Sequence, residues 1–61
     1  MDLKIDKWYK GQEGIMRSVH FRVLAVNDNG TVEIVTARPF EHKMTFPLLE
    51  IRDEMKSVEV P

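Results

Sequence analysis

The chain contains no cysteine, which excludes a disulfide framework and any zinc site built on thiolates. Stability then has to come from one small core or from self-association. That absence suits a reducing compartment. Long apolar runs are missing as well. The stretch from Met1 to Gln12 is broken by charge at every second or third position, and no uncharged run reaches the length of a signal peptide or a membrane span. A cytoplasmic location with no membrane partner is therefore the expectation. Neither sign of charge prevails. Nine Lys and Arg against ten Asp and Glu give a net charge of −1, which excludes whole-molecule steering toward nucleic acid and lowers the expectation of a duplex-DNA binder. The segment from Glu50 to Pro61 holds four of the acidic residues and two of the basic ones, an acidic tail on a nearly neutral body.

What is present is organised around Ser18 to Ala37. Val19, Phe21, Val23 and Ala25 recur at every second residue, the period of a strand buried on one face. Val32 and Ile34 repeat the pattern against Thr31, Glu33 and Val35, and β-branched residues fill five of the seven positions from Thr31 to Ala37. Between the arms lies Asn27-Asp28-Asn29-Gly30. Asp and Asn there bond back to their own backbone and Gly30 supplies a positive φ, so the whole reads as a β-hairpin.

Before the hairpin, Leu3 and Ile5 belong to a loose first segment, and a short strand is expected around Lys7 to Lys10. Gly11 to Gly14 reads as a loop, with no Lys-Ser/Thr following to make it a phosphate cradle. Ile15 and Met16 should enter the hairpin strand through a kink at Arg17 and Ser18. After it, Arg38 to His42 is a loop, since Pro39 lacks the donor a central strand needs. Lys43 to Phe46 alternates again, with Met44 and Phe46 inward. Pro47 can open a helical turn. Leu48, Ile51 and Met55 would permit a helix as far as Lys56; a single 3₁₀ turn ending near Glu50, with Ile51 starting a strand, is the favoured alternative. Val58 and Val60 fit an edge strand paired back on the amino terminus, or a frayed tail.

Turn signals every 8 to 12 residues or so between short strands argue for a small all-β domain spanning residues 1–61. Its expected core is Val19, Phe21, Val23, Val32, Ile34, Met44, Phe46 and Leu49. The order WYKGQEG, FRVLAVNDNGTVEIV, TFPLLEI resembles the layout of SH3-like small barrels, including KOW and Tudor-type modules. That resemblance implies about five short strands, a central hairpin, and a 3₁₀ or short helical turn near the carboxyl end. The ALYDY run and paired tryptophans of true SH3 domains are absent, so proline-peptide binding does not carry over. By analogy with other short free-standing chains of this layout, a phage or mobile-element accessory role is a further expectation.

The residues carry little catalytic chemistry. His20 and His42 are the only histidines and lack the partners of a structural zinc site, so no metal or other cofactor is expected. Ser18 and His20 share a strand face, yet a water-excluding pocket is hard to build from 61 residues. No catalytic residue is assigned. The aromatics say more. Trp8 and Tyr9 are adjacent, so in a strand they point to opposite faces and one should be exposed, while Phe40 lies in a loop flanked by Arg38 and Lys43. The leading expectation is thus a non-enzymatic module that binds a protein partner or itself through Trp8, Tyr9, Arg38, Phe40, His42 and Lys43. A second is nucleic-acid binding along a stripe of Arg17, His20, Arg22, Arg38 and Lys43. A third is a small enzyme whose active site is shared among copies in an oligomer.

Overall fold

The computed structural model describes residues 3–37 and 41–61. Five strands, β1 Trp8–Lys10, β2 His20–Val26, β3 Thr31–Thr36, β4 Lys43–Pro47 and β5 Val58–Glu59, form one antiparallel sheet in the order β4-β3-β2-β1-β5. This arrangement is consistent with the SH3-like layout, with the carboxyl-terminal strand returning to pair with the first. Its Cα radius of gyration, 10.2 Å, is near the ~10.5 Å of a compact chain this long.

The hairpin forms as its sequence dictates. Asn27 N–H donates to the Thr31 carbonyl at 2.8 Å and Gly30 N–H to the Asn27 carbonyl at 3.2 Å, and Gly30 takes φ +83°. Asn29 Oδ1 accepts from Thr31 Oγ1–H at 2.6 Å, fixing the second arm where it leaves the turn. Between Val23 and Ala25 the register slips by one residue, a β-bulge that adds local twist.

Alternation sets the inner face. Tyr9 pairs with Phe21 and Phe21 with Thr36; Val23 pairs with Ile34 and Ile34 with Met44. Tyr9, Met16, Phe21, Val23, Val32, Ile34, Ile51 and Met55 make the core, with Leu3, Val19, Phe46 and Leu48 packed around it. Two expected members lie elsewhere. Leu49 is 61% exposed and Met44 sits at the edge of the sheet, also exposed. Their places are taken by Ile51 and Met55, because the chain after Pro47 continues as a helix through residues 48–54. Glu50–Glu54 is π-type, with Met55 N–H bonding the Glu50 carbonyl at 2.8 Å. No strand starts at Ile51.

Ile15 and Met16 likewise leave the hairpin strand for a 3₁₀ turn, Gly14–Met16, which swings Met16 into the core and leaves Ile15 exposed. Ser18, at φ +63°, makes the kink that returns the chain to β2. This loop is tied to the helix end, where Gln12 and Glu13 N–H both donate to the Met55 carbonyl, at 2.8 and 3.0 Å. They satisfy a carbonyl that the helix itself leaves open.

Edge strand β4 explains its own proline. Thr36 N–H bonds the His42 carbonyl and Leu48 N–H bonds the Gly30 carbonyl, and the register runs between these points without a slip. Lys43, Thr45 and Pro47 therefore turn their backbone polar groups away from β3. Pro47 lacks an N–H where none is needed, and the edge offers one donor fewer to a stray strand.

Candidate functional site

The face opposite the core carries the site. Trp8 pairs with Arg22, Arg22 with Val35, and Val35 with Lys43, so these four side chains form one row across β1, β2, β3 and β4. Beside that row, Lys10 pairs with His20, and Glu33 lies two residues along β3 from Val35 on the same face. A groove of about 340 Å³ opens there, lined by Trp8, Arg22, Val35, Thr36 and Glu41, a volume in the range of small binding clefts, ~300 to 1,000 Å³.

Each wall has a local cause. Trp8 is placed outward by Tyr9, which turns inward to stack on Phe21 with ring centroids 6.0 Å apart. The Tyr9 hydroxyl accepts from Lys4 N–H at 2.8 Å. Tyr9 is 1% exposed and Trp8 39%, so of the adjacent pair Trp8 alone is available to a ligand. Thr36 borders the groove as the residue after Val35, while its buried side chain lies on the core side opposite Phe21 and its Oγ1 accepts from His42 N–H at 2.9 Å.

Arg22 is the unusual member. Its Nε is out of contact with solvent and has no hydrogen-bond acceptor among the described residues. A buried donor left so costs about 1 to 3 kcal/mol. Five N–H groups in a planar fork make the guanidinium a natural seat for a carboxylate or phosphate.

Among the other expected site residues, Lys43 ends the row, His20 and His42 are exposed near it, and Arg17 is exposed in the turn before β2. Arg17 does not line the groove. Arg38 and Phe40 lie outside the described residues. Sequence reading missed Val35, Thr36 and Glu41 as groove walls. The alternation already set Val35 opposite the core, but only the pairing of Arg22 with Val35 brings it beside Trp8. Among the described residues no group of three or more His, Asp or Glu could hold a metal ion, and no helix is long and apolar enough to cross a membrane. Comparisons with protein-family models, curated proteins and solved structures return no match.

Proposed function

We propose that the chain is a non-enzymatic interaction module that binds a protein partner, or a second copy of itself, through the groove on the outer sheet face. Trp8 carries this reading: a large aromatic, partly exposed, next to an arginine and a valine in one cross-strand row. Aromatic and arginine side chains dominate the energetics of protein interfaces, and truncating a true anchor typically costs about 2 kcal/mol of binding or more.

The test uses the full chain as bait, with chemical cross-linking and sedimentation. Trp8→Ala is expected to lose the partners or the self-association that wild type retains, with its melting temperature nearly unchanged. Lys4→Ala and Lys56→Ala are expected to retain them. Both lysines are in exposed ion pairs outside the row, with Glu59 at 3.9 Å and Glu13 at 3.0 Å, and such pairs contribute little. Partners held equally well by Trp8→Ala overturn the reading.

Nucleic-acid binding is the second reading, and the register favours it to this extent: Lys10, His20, Arg22 and Lys43 share the face that exposes Trp8. Cations around a stacking aromatic are the makings of a single-strand site. Glu33 and Glu41 on or beside that face weigh against it.

A further inference from the structure

We infer that Asn29 is a modification site: the folded hairpin turn promotes closure of Asn29-Gly30 to a succinimide, and through it conversion to aspartate and isoaspartate, with water as the only co-reactant. The inference is independent of the groove. Of the two asparagines, only Asn29 is exposed and followed by glycine. A Cβ at Gly30 would meet nothing within 4 Å, so the nitrogen that must attack is unshielded. Asn29 Oδ1 accepts from Thr31 N–H at 3.2 Å and from Thr31 Oγ1–H at 2.6 Å, which turns the carboxamide toward the forward chain that contains Gly30. The same Oγ1 accepts from Asn27 Nδ2–H at 3.0 Å, a relay that strengthens the bond onto Oδ1. Two donors converging on one carbonyl oxygen are the arrangement that stabilises an oxyanion. Asn27 has no such setting: it is half-buried, its carboxamide faces Thr31 as a donor, and the next residue is Asp28.

Hydroxide removes the Gly30 N–H proton, and the nitrogen bonds to Asn29 Cγ while the carbonyl electron pair moves onto Oδ1, between the two Thr31 donors. Collapse breaks Cγ–Nδ2, and ammonia leaves with a proton from water, which regenerates the hydroxide. Water then opens the ring at Cγ to give aspartate, or at the main-chain carbonyl to give isoaspartate. The reaction gives up one contact, the exposed 3.2 Å bond from Gly30 N–H to the Asn27 carbonyl. Aspartate retains the acceptor that Thr31 uses. Isoaspartate lengthens the turn backbone by one carbon and so works against the hairpin register, which loop length fixes.

The test ages the full chain in mildly alkaline buffer, folded and, at the same pH, unfolded in urea. Peptide mapping with electron-transfer fragmentation follows each asparagine and separates aspartate from isoaspartate. The folded chain is expected to convert at Asn29 at least as fast as the unfolded chain, with Asn27 intact. Thr31→Val removes the hydroxyl donor and should slow conversion in the folded chain about fivefold, the worth of one hydrogen bond, while leaving the unfolded rate unchanged. Thr31→Ser should restore the folded rate, and Gly30→Ala should lose most of the conversion in both states. The comparison of folded with unfolded wild type carries the test even where a Thr31 variant folds poorly. A folded chain that resists conversion while the unfolded chain reacts overturns the inference, since the turn would then protect Asn29. A folded Thr31→Val chain that converts as fast as wild type overturns it as well, since the bonds from Thr31 would then have no part in the reaction.

Discussion

Gly11 and Gly30 need glycine for different reasons. At Gly30 φ is +83° and a Cβ would meet nothing within 4 Å, so the cost of a side chain is backbone strain alone. At Gly11 a Cβ would stand 2.3 Å from the Met16 carbonyl oxygen, where the loop from Gly11 to Ser18 closes on itself through Ser18 N–H to the Gly11 carbonyl at 2.8 Å. That clash involves backbone and cannot be relieved by a rotamer change. Gly30→Ala is therefore expected to destabilise by about 1 kcal/mol, and Gly11→Ala by more, up to about 3 kcal/mol. Urea midpoints of the two variants check the order; a neutral Gly11→Ala would mean that the loop is not packed as described. Asp28→Ala, at an exposed turn position of the hairpin, should cost less than either.

At the scale of the element, the helix through residues 48–54 bears more of the fold than its length suggests. It turns Ile51 completely inward, with Met55 following just past its end, while Leu49 stays on the solvent side. The sheet's inner face thereby gains a cover that five short strands could not supply alone. Ile51→Ala should cost about 2 to 5 kcal/mol, as Phe21→Ala or Ile34→Ala should, a large share of what so small a domain has. Leu49→Ala should stay within about 0.5 kcal/mol of wild type. Equal losses at Leu49 and Ile51 in thermal or urea unfolding would contradict this facing of the helix.

For the molecule as a whole, charge balance decides how binding responds to salt. Lys10, Arg22 and Lys43 share the outer face with Glu33, Glu41 lines its groove, and the chain carries a net charge of −1. A protein complex anchored on Trp8 should weaken only a few-fold between about 50 and 200 mM salt. A nucleic-acid complex engaging the three cations should lose roughly twentyfold to fortyfold over the same range. Affinity measured at the two salt concentrations separates these outcomes. The two ends of the described chain also meet across the sheet edge. Tyr9 Oη–H donates to Glu59 Oε1 at 3.5 Å while accepting from Lys4 N–H, so the segment before β1 and strand β5 are held by one hydroxyl at the rim of the core.

The hairpin, its glycine turn and the inward set Phe21, Val23, Val32 and Ile34 were legible in the sequence because each depends on a period or a turn preference that neighbouring residues express. So was the division of Trp8 and Tyr9 between two faces, since adjacent strand residues must diverge. Which of the two turned inward depended on Phe21, the partner across β1 and β2, and hence on register. The run Leu48, Ile51, Met55 admitted both a helix and a strand; the open inner face that Ile51 and Met55 could cover decided for the helix. The groove is the most distant from sequence. Trp8, Arg22, Val35 and Lys43 are far apart along the chain and become neighbours only when four strands align without a slip at that row. A row built by long-range pairing leaves no trace in local periodicity, whereas the core pattern that supports it does.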